Sequence, residues 1–158
     1  MQAHSVLDSC LAAHAASYPF FSGSGKLFAD LRSHLDDEGN KRIALVVDDV
    51  MDVTEMLSVL LTHAGYEVVT AGSARAALDA ARKHHFDVII SDIGMPEMNG
   101  YELARALRAL PDYQSVPLVA VTGYSMFDDR ERSLNSGFTA HMTKPIDPRA
   151  LLDLIDKL

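Results

Sequence analysis

The spacing of apolar residues along the chain changes at about residue 41. From there onward, short apolar runs alternate with longer segments in which apolar residues recur every three or four positions. The runs predict five strands, at 43–47, 66–71, 88–90, 118–121 and 138–142. The segments between and after them predict five helices. Since strands that alternate with helices form parallel sheets, we expect an α/β fold, a five-stranded parallel sheet with helices on both faces.

Polar residues and glycine mark some of the helix boundaries. Asn99 and Glu102 have the spacing of a capping box at the start of the third helix. Asp52 with Glu55 predicts a second capping box at the first helix. Gly65 predicts the C-terminal end of that first helix, because glycine readily adopts the left-handed conformation found there.

Residues 1–40 have a different pattern. Apolar residues at helical spacing predict two short helices, which are too small to form a core of their own. We therefore expect this N-terminal extension to pack on the main domain at 41–158, on a second copy or on a partner. A loosely structured extension is the alternative. The apolar residues that would form the packing surface are Val6, Leu7, Leu11, Leu27, Phe28 and Leu31.

Composition narrows the class of protein. The chain has 158 residues, of which 48% are hydrophobic and 23% charged, and this supports a globular core. Its formal net charge of −8 argues against broad nucleic-acid binding, which requires a basic face. The single cysteine, Cys10, excludes an intrachain disulfide and indicates a reducing compartment. No apolar run approaches the ~18–20 residues of a membrane span. We expect a cytoplasmic protein without nucleic-acid or membrane partners.

Four of the five predicted strands end in residues that can carry chemistry. Asp48 and Asp49 end the first strand, Asp92 the third, Thr122 the fourth and Lys144 the fifth. An open parallel sheet binds its ligands outside the carboxyl ends of its strands, so we expect these side chains to converge there.

Three carboxylates at one edge repel each other and need a counter-ion or raised pKa values. A magnesium ion fits because it prefers oxygen ligands and is usually held by carboxylates together with phosphate oxygens. One carboxylate can then attack phosphorus and form an aspartyl-phosphate, while the lysine and the hydroxyl bind other phosphoryl oxygens. A structural ion-pair cluster around Lys144 is the alternative interpretation.

Four motifs resemble, in order, those of the receiver domain of two-component response regulators. They are LVVDD at 45–49, VIISDIGMPEMNG at 88–100, LVAVTG at 118–123 and TKP at 143–145. The resemblance covers residues 41–158 and implies a flavodoxin-like sheet with strand order 2-1-3-4-5, a strand order for which a chemotaxis receiver is a known example.

The resemblance also implies a phosphorylation site. Asp92 would accept a phosphoryl group from a histidine kinase or a phosphotransfer protein. Magnesium would be bound by Asp49, Asp92 and the backbone carbonyl of Gly94, with Asp48 contributing through water.

Further roles follow from the same resemblance. Lys144 would pair with the phosphoryl group and form a cis peptide with Pro145. Thr122 would move to hydrogen-bond a phosphoryl oxygen, which shifts an existing equilibrium of the loop after the fourth strand. His141 stands where receivers often carry Tyr or Phe and would be the second switch residue. A solvent-facing histidine at a strand end is the alternative.

The implied function is a signalling switch and not a conventional enzyme. Phosphorylation would change the surface formed by 125–158, which then binds or releases a downstream protein, with a homodimer as one form of output. The chain ends after the last receiver helix, so we expect a stand-alone receiver without an output domain. The alternatives are the receiver portion of a hybrid histidine kinase and a degenerate receiver acting as a constitutive interaction module.

Two other interpretations are less well supported by the residues. An aspartate-dependent phosphatase of the haloacid dehalogenase type needs a second aspartate where this chain has Gly94. His84 and His85 with Asp87 suggest a metal site, but a solvated helix end explains them more simply.

Overall fold

The computed structural model describes residues 41–123 and 127–158, with side chains from 131 onward in the second range. Residues 41–158 form one compact unit. The two helices predicted within 1–40 lie outside the described residues. Among the helices that are described, none combines the length and apolar character needed to cross a membrane.

Five parallel strands form one sheet in the order β2-β1-β3-β4-β5, which confirms the predicted fold class. The strands are β1 (Ile43–Val47), β2 (Glu67–Ala71), β3 (Val88–Asp92), β4 (Leu118–Thr122) and β5 (Ala140–Thr143). The helices are α1 (Met51–His63), α2 (Ala74–Ala81), α3 (Gly100–Arg108), α4 (Phe127–Asn135) and α5 (Pro148–Ile155), with a short 3-10 helix at Pro111–Tyr113.

Each face of the sheet has its own apolar core. On β1, Leu45 packs among residues of α2 and α3, whereas its neighbour Val46 packs among residues of α1 and α5. All five residues of β3 and of β4 are buried, because helices cover both faces of these central strands. This arrangement confirms that helices lie on both faces of the sheet.

The predicted start of α1 is wrong. The helix begins at Met51, and no side chain caps it, so Asp52 and Glu55 do not form a capping box. Instead, the backbone N–H of Val50 donates to Asp48 Oδ1 at 2.9 Å. The chain therefore turns directly at the end of β1, and the helix starts before Asp52 can cap it.

Other helix boundaries agree with the sequence patterns. The capping box of Asn99 and Glu102 is present at the start of α3. Gly65 follows α1 with a φ of +90°, the left-handed conformation that glycine adopts without strain. The carboxylate of Asp147 accepts hydrogen bonds from two backbone N–H groups at the start of α5.

The amino end of the sheet is held together by Arg108, near the end of α3. Its guanidinium donates to the carbonyls of Tyr113 at 2.6 Å, Val116 at 2.8 Å and Gly137 at 2.8 Å. It also donates to the hydroxyl of Thr139 at 3.2 Å. One side chain thereby links α3 with the segments that lead into β4 and β5.

Candidate functional site

Four strands deliver chemically active side chains to the carboxyl edge of the sheet. Asp48 directly follows β1, Asp92 is the last residue of β3, Thr122 is the last residue of β4, and Lys144 directly follows β5. β3 extends two residues past its predicted end at Ile90 and includes Asp92, because the strand continues to pair with β4 up to Val121. The continued pairing makes Asp92 a strand residue, with its backbone held by the sheet.

Lys144 joins two of the acids. Its Nζ lies 2.8 Å from Asp48 Oδ2 and 3.1 Å from Asp92 Oδ1. The side chains of Asp48 and Asp92 are only 3% and 8% exposed, so water contributes little to stabilising their charges. Among the described residues, Lys144 is the cation that pairs with these two carboxylates. Its peptide bond to Pro145 is cis, as the resemblance implied.

The pKa values of Asp92 and Lys144 are both shifted from their ordinary values. Burial raises the pKa of Asp92 above its ordinary value, and Lys144 opposes this shift only in part, while the nearby charge of Asp48 adds to it. For Lys144, burial acts to lower the pKa, but hydrogen bonds and charge from the two aspartates outweigh it, so the pKa is raised. The site thus holds more negative charge than one ammonium group balances.

A third carboxylate completes an acidic cluster. Asp48, Asp49 and Asp92 each present an oxygen such that all three oxygens lie within 4.8 Å of one another. Asp49 is exposed, whereas the other two are buried. An all-oxygen donor set with excess negative charge fits a hard divalent cation such as magnesium.

Gly94 lies beside the carboxylate of Asp92. Its backbone hydrogen bond to Asp92 acts to lower the pKa of that residue. A Cβ at position 94 would lie 3.6 Å from Asp92 Oδ2, so the missing side chain leaves that oxygen uncovered on this side. The metal-binding role of the Gly94 carbonyl stays a prediction.

The two predicted switch residues are tied to the site and to α4. The backbone N–H of Lys144 donates to the carbonyl of Thr122 at 2.7 Å, which couples the ends of β4 and β5. Thr122 itself is 3% exposed. His141 is half-buried, and its Nδ1 lies 3.1 Å from the hydroxyl of Ser133 on α4. His141 is therefore packed against α4 and does not stand in open solvent.

The sequence interpretation missed Gly100, the first residue of α3. A Cβ at this position would lie 2.4 Å from the carbonyl oxygen of Asp92 and 2.8 Å from Ile93 Cα. Glycine therefore allows α3 to pack directly on the end of β3. A glycine directly after a capping asparagine was the available signal, because glycine is unfavourable inside a helix.

The loop between β3 and α3 contains a strained turn. Glu97 has a φ of +65°, which is unusual for a residue with a side chain. The backbone N–H of Met98 donates to the carbonyl of Pro96 at 2.8 Å, across Glu97. A three-residue turn with positive φ at its centre is the rare γ-turn.

The segment that follows α2 makes two hydrogen bonds with other parts of the domain. Tyr113 donates a hydrogen bond to the carbonyl of His84, and Asp87 accepts one from the backbone N–H of Ile43 at 2.7 Å. The acidic cluster is the potential metal-binding group found among the described residues, and it does not include His84, His85 or Asp87. The interpretation of this segment as a solvated helix end stays a prediction.

Comparison with known proteins gives consistent similarities. The family model of the response regulator receiver domain matches residues 44–156. The polar-differentiation response regulator DivK of Brucella ovis is 33% identical over 115 residues, which are 73% of this chain and 93% of that protein.

Solved structures are similar over the same region. The chemotaxis protein CheY4 of Vibrio cholerae matches with a TM-score of 0.72 and 36% identity, over 75% of this chain and 98% of that one. The receiver domain of the sensor histidine kinase PA1611 of Pseudomonas aeruginosa matches with a TM-score of 0.69 and 25% identity, over 75% of this chain and 97% of that one. The latter structure has a magnesium ion coordinated in its active site cleft.

Proposed function

This chain belongs to the response regulator receiver domain family, and we propose that it accepts a phosphoryl group on Asp92 from a histidine kinase or a phosphotransfer protein. Receivers of this family are signalling modules of two-component systems, not conventional enzymes. The modification would change which downstream protein the chain binds.

The placement of Lys144 between two buried aspartates carries this proposal. Its Nζ contacts Asp92 Oδ1 at 3.1 Å and Asp48 Oδ2 at 2.8 Å, and this leaves Asp92 Oδ2 on the uncovered side beside Gly94. One oxygen of the acceptor is thus paired with a cation, while no side chain of residue 94 covers the other. The raised pKa of Asp92 is consistent with a carboxylate adapted to reaction and not only to structure.

The proposed transfer is an in-line displacement at phosphorus. A carboxylate oxygen of Asp92 forms the new P–O bond, and the P–N bond to the histidine of the donor breaks. The electron pair stays on the imidazole nitrogen, and the ring leaves as neutral imidazole when its other nitrogen carries a proton. Lys144 and Thr122 would bind oxygens of the phosphoryl group, which carry the negative charge.

The donor set of the acidic cluster fits magnesium. We propose that the carboxylates of Asp48, Asp49 and Asp92 and the backbone carbonyl of Gly94 hold the ion. The similar PA1611 receiver domain has a magnesium ion coordinated in its active site cleft. When bound, the ion supplies positive charge that reduces repulsion among the carboxylates and stabilises the phosphoryl oxygens.

Phosphorylation would be transmitted through β4 and β5. A hydrogen bond from Thr122 to the phosphoryl group would act on the end of β4, which is already joined to Lys144 through the backbone. His141 would follow the change, because it contacts Ser133 on α4. The surface within 125–158 is therefore proposed to bind the downstream partner or a second copy of the chain.

A phosphorylation assay tests the proposal. The full chain is incubated with a small acyl phosphate and magnesium, and the intact mass is measured for wild type, Asp92→Asn and the exposed control Asp153→Asn. We expect the mass of one phosphoryl group to be gained by wild type and by Asp153→Asn, only with magnesium, and not by Asp92→Asn. Modification that persists in Asp92→Asn would mean that another residue is the acceptor, and no modification of wild type would contradict the proposal.

A further inference from the structure

An open groove of about 270 Å³ lies between α3 and α4. All its lining residues are polar or charged, and two of them carry guanidinium groups, although the chain as a whole carries a formal net charge of −8. The residues of the acidic cluster do not line this groove. The lining residues are Arg105, Glu131, Arg132, Asn135 and Ser136.

Arg132 is held in place by an aromatic ring. Its guanidinium carbon lies 4.6 Å from the centre of the Tyr101 ring, and Tyr101 itself is only 6% exposed. Stacking uses the face of a guanidinium group and leaves the N–H donors in its plane available. Arg132 is thus a positioned donor and not a freely rotating surface cation.

Arg105 faces the same groove from α3. It stands four residues after Tyr101, so the two side chains share one face of that helix. No ion pair joins Arg105 or Arg132 to a carboxylate whose side chain is described. Arg108, one turn further along α3, differs because its donors are bonded to carbonyls and a hydroxyl of the domain.

We propose that this groove binds the side-chain carboxylates of an acidic peptide segment from a protein partner. Two guanidinium groups, supplemented by the exposed amide of Asn135, match carboxylates in both charge and hydrogen-bonding geometry. The groove is open along the surface, which suits an extended segment better than an enclosed small molecule. Glu131 lines the same groove, so the acidic residues of the partner would have to place their charges on the two arginines.

The groove is connected to the proposed switch through α4. This helix follows β4, whose last residue is Thr122, whereas Arg105 belongs to α3. A displacement of α4 would change the distance between the two guanidinium groups. Peptide binding itself does not require phosphorylation of Asp92; only its regulation rests on the proposed function.

The test uses the full chain and a capped oligoglutamate peptide, with oligoglutamine as the neutral peptide control and inorganic phosphate as a second probe. Side-chain Nε–H signals of arginine are followed by NMR during each titration. We expect oligoglutamate to shift the signals of Arg105 and Arg132 and to leave that of Arg108 unchanged. The double variant Arg105→Gln/Arg132→Gln should weaken binding at least ~10-fold.

Arg149→Gln is the matched control, since Arg149 is exposed on α5 and its loss changes the net charge in the same direction. It should weaken binding less than ~2-fold, and the backbone amide spectrum of each variant establishes that it is folded. Equal weakening by Arg149→Gln would show that the attraction is nonspecific and would overturn the proposal. A failure of oligoglutamate to bind would overturn it as well. Shifts produced by phosphate but not by oligoglutamate would identify a small-anion site instead and would also overturn it. Because the assay is done without phosphodonor, its failure leaves the phosphorylation proposal untouched.

Discussion

The Nζ of Lys144 lies 2.8 Å from Asp48 Oδ2, although 96 positions separate these residues along the chain. The same ammonium group contacts Asp92, the proposed phospho-acceptor, at 3.1 Å. Lys144 thereby connects two strand ends that both carry buried acid. It is a structural counter-ion and, in the proposed function, a ligand of the phosphoryl group.

Removing this ammonium group should destabilise the domain. Lys144→Gln leaves Asp48 and Asp92 buried without their cation, so we expect the free energy of unfolding at pH 7 to fall by about 1–3 kcal/mol. Urea denaturation measures this free energy, and Lys157→Gln, at an exposed lysine, is the matched control. We also expect phosphorylation by a small acyl phosphate to slow by about 100-fold. A variant as stable and as reactive as wild type would contradict both roles.

Asp92→Asn should have the opposite effect on stability. Burial raises the pKa of Asp92 in the folded chain, so the stability this carboxyl contributes is present below its unfolded pKa and is lost as pH rises through its folded pKa. At pH 7 the ionised group therefore costs stability, and we expect Asp92→Asn to raise the free energy of unfolding by about 0.5–2 kcal/mol. Denaturation at a series of pH values should show this difference disappearing below about pH 4. Greater stability of wild type at pH 7 would show that the ion pair outweighs burial. Asp153 is exposed, so the difference in stability between Asp153→Asn and wild type should not depend on pH in this way.

Phosphorylation should depend on pH in the direction set by the same shift. In the proposed function the carboxylate form of Asp92 is the nucleophile, so the initial rate should fall as pH decreases, starting at a higher pH than for an aspartate of ordinary pKa. The measurement is the initial rate with a small acyl phosphate across the acidic range, at several magnesium concentrations that begin far below saturation. Since magnesium would lower the pKa of Asp92, reducing the magnesium concentration should move the decline to higher pH. A rate that is constant down to the ordinary aspartate pKa, with and without saturating magnesium, would contradict this prediction.

Magnesium should stabilise the folded chain through Asp49. An ion that binds only the folded state raises the free energy of unfolding by about 1.4 kcal/mol when its free concentration is ten times its Kd. Thermal unfolding with and without magnesium should show a higher Tm for wild type and little change for Asp49→Asn. Asp49 is exposed, so its substitution should alter stability very little in the absence of the ion. Asp153→Asn should show the same rise in Tm with magnesium as wild type. An equal rise in Tm for Asp49→Asn would exclude Asp49 as a ligand.

Substitution of Glu97 by asparagine should relieve the backbone strain in this turn. Asparagine tolerates positive φ better than glutamate does, so Glu97→Asn should raise the free energy of unfolding by about 0.5–1 kcal/mol. Glu97→Ala is the control, because it removes the same charge and keeps a residue that is strained at this φ. Equal stabilisation by both substitutions in urea denaturation would assign the effect to charge instead of backbone conformation.

Much of the fold could be predicted from local patterns. The apolar run at 43–47 matches β1, and the capping box of Asn99 and Glu102 is formed, since each pattern involves neighbouring residues only. The start of α1 could not be predicted in this way. It depends on where Asp48 lies when β1 ends, and that carboxylate bonds to Val50 in place of the expected cap at Asp52.

The same distinction applies to the candidate site. The strand ends indicated which residues would be available, because the topology of a parallel sheet brings its carboxyl ends to one edge. The resemblance indicated their roles, and the sites themselves remain proposals. The contact of His141 with Ser133 and the close approach of Gly100 to Asp92 were not expected, because neither follows from spacing along the chain.

The sequence by itself thus determined the type and order of the elements and the identity of the residues at the strand ends. Local periodicity is sufficient for this, because a helix or strand must place its apolar face inward wherever it lies. Only the tertiary structure decided that Lys144 is shared by Asp48 and Asp92, that burial raises the pKa of Asp92, and that Arg132 stacks on Tyr101. Charge interaction, desolvation and stacking depend on distances of a few ångströms between residues far apart in the chain, and those distances exist only once the elements have packed.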